Sequence, residues 1–141
     1  MNFNYNIIMT KKMKVKEAAD VATRNELVSL FMLIRETKSS NLSRPALVKY
    51  VMLRVKLKGL YDEYEKVRQE ISEQTKPEGW KEGDSPDEWN EAFRPVLEAW
   101  LNEPADIDTK IFTEEDCADF IMSNPDQTGT FVDVVMEYLK Q

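Results

Sequence analysis

The 141-residue sequence contains no histidine and a single cysteine. Histidine is the commonest general base and metal ligand, so its absence leaves any catalysis to carboxylates, lysine or tyrosine. The lone thiol, Cys117, cannot form an intramolecular disulfide, and without histidine it cannot complete a zinc site of the usual Cys/His type. Glu115, Asp116 and Asp119 lie beside it, and their negative charge disfavours a thiolate. We therefore interpret Cys117 as a small buried core residue.

Glycine and long hydrophobic runs are also scarce. The four glycines are scattered along the chain and form neither a phosphate-binding loop nor a dinucleotide-binding pattern. The longest apolar run, Leu30 to Ile34, is too short to span a bilayer. At the N-terminus, the apolar residues Ile7 to Met9 precede four lysines, which reverses the charge order of a signal peptide. We therefore expect a cytoplasmic protein with no membrane contact.

Carboxylates are abundant near the middle of the second half. Six of them fall within 14 residues: Asp106, Asp108, Glu114, Glu115, Asp116 and Asp119. A calcium loop of the EF-hand type needs a central glycine and alternating ligands, and this segment has neither. Acids in the first turn of a helix are favoured by the helix dipole, which explains the later members of the group. We predict no metal, no cofactor and no enzymatic activity.

Charge is divided unequally along the chain. Residues 1–60 carry a net charge of +8 and residues 61–141 a net charge of −15. Between Thr37 and Tyr61 there are six cations and no acid, namely Lys38, Arg44, Lys49, Arg54, Lys56 and Lys58. We expect this stretch to face the acidic half of its own chain or of a protein partner. The alternative is a nucleic-acid contact made by these six side chains.

The apolar pattern predicts a mainly α-helical fold with one domain over residues 13–141, after a flexible tail at 1–12 that is dispensable for folding. Residues 13–74 are predicted to form a long antiparallel helical hairpin, and 85–141 a C-terminal helical part. The start of the natural chain, at Met1, Met9 or Met13, stays open.

The second helix of the hairpin has the clearest pattern. The first helix covers residues 17–36, and Pro45 fits the first turn of the next one. Apolar residues then recur at spacings of four and three, at Ala46, Tyr50, Leu53, Leu57, Leu60, Tyr64, Val67 and Ile71. This heptad seam predicts a helix of about 30 residues packed within the hairpin or, alternatively, in a homodimer. Gly59 interrupts the helix, for which a close helix crossing is one reason.

Local signals define the remaining elements. Ser85 and Glu88 form a predicted capping box, which opens a helix whose two tryptophans, Trp89 and Trp100, we assign to the core. Pro95 should kink that helix. Residues 107–111 alternate between apolar and polar, which suits a short strand. We expect it to pair with residues 13–15 as a two-stranded β-ribbon.

Two further helices complete the predicted fold. Thr113 and Asp116 form a second capping box and open a helix. A last helix carries apolar residues at Phe131, Val134, Val135, Tyr138 and Leu139.

The order of these features resembles a family of small uncharacterised phage and prophage proteins. The matching pieces are Met13-Lys14-Val15-Lys16, Leu42-Ser43-Arg44, the helix to Glu70, and the segment from Asp106 to Asp116. The resemblance implies a mobile-element protein, such as an assembly or accessory factor, and carries no catalytic residue. We accordingly expect a non-enzymatic protein that binds another protein or itself.

Overall fold

The computed structural model describes residues 21–141. Within them lie five α-helices: α1 (Arg24–Ile34), α2 (Arg44–Thr75), α3 (Asp87–Leu101), α4 (Glu114–Met122) and α5 (Gly129–Val134). Helix α5 continues directly as a π-helical turn, Val135–Leu139. The predicted mainly helical fold is confirmed. The predicted tail at 1–12 and residues 13–15, one side of the predicted β-ribbon, lie outside the described residues.

Helices α1 and α2 form the predicted antiparallel hairpin. Near the turn, the Tyr50 hydroxyl donates to the Ile34 carbonyl at 3.3 Å. Further along both helices, the rings of Phe31 and Tyr61 lie 5.2 Å apart. The contacts of α1 and α2 therefore run in opposite directions along the two helices, as expected for antiparallel packing. The whole heptad seam of α2 is buried except for Val67, which is half-buried. Packing within one chain accounts for this burial, since α3, Phe112 and Phe120 contact the seam in addition to α1.

The ends of the hairpin helices follow from their capping residues. The Ser43 hydroxyl accepts from the Ala46 amide at the start of α2. Thr23 and Glu26 form a full capping box at the start of α1, because each side chain accepts a backbone N–H of the other. Helix α1 thus begins later than predicted, and Ala22 precedes it instead of lying within it.

Helix α3 packs across α1 and α2 with less of its surface buried than expected. Leu97 and Leu101 are buried, whereas Trp89 and Trp100 are half-buried. Trp100 packs against the core, as predicted, whereas Trp89 does not join it, so the assignment of Trp89 to the core was wrong. Each indole also has a polar contact: Trp89 Nε1 donates to the Ser72 carbonyl at 2.9 Å, and the Arg24 guanidinium lies 4.3 Å from the Trp100 ring.

The start of α3 differs from the prediction as well. Pro86 is the residue before the helix, and no side chain caps it. The predicted capping box does not form because the Ser85 hydroxyl accepts from the amide of Asp87, only two residues ahead, at 3.4 Å. Pro95 lies inside the helix, which continues to Leu101.

The predicted strand at 107–111 does not form. These residues have no regular secondary structure, and Ile111 donates back to the carbonyl of Thr109, two residues earlier, at 2.9 Å. Backbone pairing is found one residue later, where Phe112 forms an isolated parallel bridge with Lys140. The turn at residues 109–111 prevents these residues from forming an extended strand. Lys140, near the end of the chain, is the pairing partner of Phe112, and the alternating pattern alone could not identify it.

Helices α4 and α5 close the core around a group of aromatic rings. The predicted capping box of Thr113 and Asp116 is confirmed. The Phe120 ring lies 5.0 Å from that of Tyr50, 5.5 Å from that of Phe112 and 5.6 Å from that of Phe131. Buried residues of all five helices join one hydrophobic cluster. No helix of residues 21–141 is long and apolar enough to cross a membrane.

Candidate interaction site

The face of α2 that points away from the core carries a second apolar stripe. Its members, here called the outer stripe, are Val48, Val51, Met52 and Val55, which are 54, 50, 58 and 67% exposed. They follow one another at i, i+3, i+4 and i+7, the spacing of residues on one side of a helix. Every residue of the seam in this part of α2 is buried on the opposite side. Helix α2 therefore has two apolar faces: the seam, which is buried in the core, and the outer stripe, which is exposed to solvent.

Gly59 extends the outer stripe by one further turn. It is exposed, and a Cβ atom placed on it would meet nothing within 4 Å. The close crossing expected at this glycine is therefore absent from the described part of the chain. A glycine inside an exposed helix costs about 1 kcal/mol relative to alanine, and no contact among residues 21–141 accounts for that cost.

The six predicted cations do not form a single surface. Arg54 is half-buried and turns toward α1, where its Nη2 donates to the Arg35 carbonyl at 2.8 Å. Lys58 pairs with Asp62 on the same helix at 2.9 Å. Lys38 lies in the turn before α2, where the Asn124 side chain binds its backbone N–H and carbonyl at 2.7 and 2.9 Å.

The other three cations, Arg44, Lys49 and Lys56, lie on α2 beside the outer stripe. All three are exposed, and none has an ion pair within residues 21–141. The expected contact with the acidic half of the same chain is thus found only for Lys58, and that contact is local. For the remaining cations, a contact with a partner stays a prediction.

The thiol and two acids of the segment 106–119 are buried or hydrogen-bonded. Cys117 is fully buried, and burial together with the Asp116 carboxylate raises the pKa of its thiol. Among the acids of the second half, Asp116 caps α4 and Asp108 accepts from the Lys110 amide at 3.0 Å. Across residues 21–141, no three Asp, Glu or Cys side chains lie close enough together to hold a metal ion.

Three buried tyrosines favour their neutral form. Burial raises the pKa of Tyr50, Tyr64 and Tyr138, and for Tyr138 the hydrogen bond to the Glu26 carboxylate acts in the same direction. A hydroxyl held neutral in this way is a poor general base. These side chains therefore act as structural hydrogen-bonding groups.

The same tyrosines predict a loss of stability at high pH. Above about pH 10 the unfolded chain releases tyrosine protons that the folded chain retains, so the unfolded state binds fewer protons and the free energy of unfolding falls as pH rises. Thermal melts from about pH 8 to pH 11, with tyrosinate absorbance followed in parallel, should show ionisation accompanying unfolding. Tyr138→Phe should flatten the decline. Ionisation of every tyrosine at an ordinary pKa in the folded chain would contradict this prediction.

Two buried oxygens on α1, Asn25 Oδ1 and Ser29 Oγ, have no hydrogen-bond partner among residues 21–141. Nearly all of α1 is buried, including both of these residues. An unpaired buried oxygen costs about 1–3 kcal/mol, so the two detract from stability. They lie inside the protein and contribute nothing to an exposed site.

Comparison of the chain with protein-family models, with curated proteins and with solved structures finds no match.

Proposed function

We propose that this chain is a non-enzymatic protein that binds a protein partner through the outer stripe of α2. The observation that carries this proposal is the exposure of four large apolar side chains on about two turns of one helix. Single exposed apolar residues are ordinary on protein surfaces, whereas a contiguous apolar patch flanked by polar residues is characteristic of interaction sites. Burying each of the four side chains against a partner would contribute favourably to the free energy of binding.

The biological role that we propose for this binding protein is assembly or accessory factor of a phage or prophage. It is supported by the resemblance of Met13 to Lys16, Leu42 to Arg44 and Asp106 to Asp116 to the small phage proteins described above. Such a role requires a specific binding surface, which the outer stripe would supply.

A second candidate function is nucleic-acid binding. It is favoured by three exposed cations of α2 that have no ion pair within residues 21–141, Arg44, Lys49 and Lys56. Phosphate contacts would explain such cations. The apolar stripe between them argues against this function, because a phosphate backbone gains nothing from exposed valine.

Affinity capture from the cells in which the chain is native tests the first candidate. The wild type, Val51→Gln/Val55→Gln and Met122→Gln are compared, with and without nuclease. Met122 is 68% exposed on α4, so its substitution matches the loss of exposed apolar surface without touching α2. We expect nuclease-resistant partners with the wild type and the Met122 variant, and their loss with the double variant. Recovery that nuclease abolishes would favour the second candidate.

Direct binding measurements test the second candidate. We expect no saturable binding of labelled single- or double-stranded DNA or RNA below roughly 10 μM protein at about 150 mM salt. The reason is that only three free cations lie on this face and the rest of the chain is strongly acidic. Fluorescence anisotropy at about 50 and 150 mM salt measures this. Sub-micromolar binding at the higher salt, lost on Arg44→Glu/Lys49→Glu/Lys56→Glu in a variant that still folds, would contradict it.

A further inference from the structure

We infer that the partner segment seated on the outer stripe is an amphipathic helix whose apolar face is flanked by acidic residues. This inference rests on the proposed function and adds the chemistry of the occupant. It follows from the shape of the stripe and from the sign of the charges beside it.

The shape of the outer stripe fits another helix. From Val48 to Gly59 the stripe extends along about 16 Å of helix axis at 1.5 Å per residue. Its members form one continuous ridge, and they continue to Gly59 with a spacing of four residues after Val55. Side-chain ridges of this spacing pack against the grooves of a second helix. The missing Cβ at Gly59 lets the second backbone approach closely at that end.

The charges beside the stripe select an acidic occupant. Successive residues turn by about 100° around an α-helix, which places Lys49 and Lys56 along one edge of the stripe and Arg44 in line with the stripe, one turn before Val48. The chain has no acid between Thr37 and Tyr61 to neutralise them. Glutamate or aspartate beside and at the end of the apolar face of an incoming helix would pair with these exposed cations and give specificity and faster association.

A second copy of the chain fits the same surface poorly. Two outer stripes packed together would bring the cations of both copies into one interface, with no acid of the segment 37–61 to offset them. The acidic helices of the described residues offer no matching apolar face either: Val96 is the exposed large apolar residue of α3, and Met122 that of α4. Charge complementarity therefore points to a different protein.

Two synthetic helical peptides of about 21 residues test this inference. They share one apolar stripe, and its flanking positions are all glutamate in one peptide and all lysine in the other. Fluorescence anisotropy with the full chain measures both affinities at low and physiological salt. We expect the glutamate peptide to bind about tenfold more tightly or better at low salt, because three exposed pairs each contribute modestly. This preference should shrink as salt rises.

Matched variants assign the binding to this face. Val51→Gln/Val55→Gln should weaken the glutamate peptide by about tenfold or more, since apolar contact is lost. Lys49→Glu/Lys56→Glu should reverse the preference toward the lysine peptide, and Met122→Gln should leave it unchanged. Circular dichroism establishes that each variant is folded.

Three results would overturn the inference. Equal affinity for the two peptides, lost in Val51→Gln/Val55→Gln, would mean that the stripe binds helices without selecting charge, and the proposed function would stand. A wild-type dimer in sedimentation that the same double variant dissociates would identify a second copy as the occupant. Binding of neither peptide by the folded wild type would also overturn the inference. The nuclease-resistant capture described above would then decide the proposed function separately.

Discussion

We expect Leu57→Ala to lower the free energy of unfolding by about 2–5 kcal/mol. Leu57 lies in the middle of the α2 seam and is 0% exposed. Removing its isopropyl group forfeits the transfer free energy of the buried atoms and leaves a cavity that the neighbouring side chains fill only partly. Urea denaturation followed by circular dichroism gives the change directly.

Val55→Ala is the matched control for Leu57→Ala. Val55 lies two residues earlier on the same helix and is 67% exposed, so its truncation should change the free energy of unfolding by less than about 0.5 kcal/mol. The comparison separates burial from helix propensity, because both variants place alanine in the interior of α2. A change below about 0.5 kcal/mol at Leu57 as well would show that the seam does not carry the core.

The seam was predictable because its pattern is local and long. Eight apolar positions at spacings of three and four identify one helical face without any knowledge of what covers it. The start of α2 at Ser43 and that of α4 at Thr113 were predictable for a related reason, since a capping hydroxyl acts on an amide only a few residues ahead. In both cases the interacting groups are neighbours in the sequence.

The outer stripe was missed although its signal is present in the sequence. Val48, Val51, Met52 and Val55 repeat with the same helical spacing as the seam, on the opposite side of α2. A helix with two apolar faces does not reveal which face its own chain covers, because that depends on where the other helices pack. Only the structure distinguishes the buried seam from the exposed stripe.

The errors in the second half arise where a local pattern needs a distant partner. The alternation at 107–111 is compatible with a strand, yet a strand needs an edge with which to pair, and the structure supplies Lys140 at Phe112 instead. Trp89 fits an apolar stripe, but its indole N–H ends on the Ser72 carbonyl of another helix. Spacing along the chain contains no information about these contacts.

The contact between α1 and the last turn of the chain is the most distant of this kind. The Tyr138 hydroxyl donates to Glu26 Oε2 at 2.8 Å, across 112 residues of sequence. The other carboxylate oxygen of Glu26 accepts from the Thr23 amide and hydroxyl, both at 3.2 Å. Tyr138 and Glu26 are both buried. Glu26 therefore closes the N-terminal cap of α1 and anchors the π-helical turn with the same carboxylate.

We expect Tyr138→Phe to lower the free energy of unfolding by about 1.5–3 kcal/mol, the range for a hydrogen bond to a charged group. Phenylalanine keeps the ring and its packing, so the loss reports the missing hydroxyl and the Glu26 oxygen left without that donor. A double-mutant cycle with Glu26→Gln isolates the pair. Tyr138→Phe should cost less in the glutamine background, because an unpaired amide oxygen is less costly to bury than an unpaired carboxylate oxygen. Urea denaturation of the four proteins measures the coupling. Strictly additive changes would mean that the two side chains stabilise the fold independently, and the link from α1 to the end of the chain would then lie elsewhere.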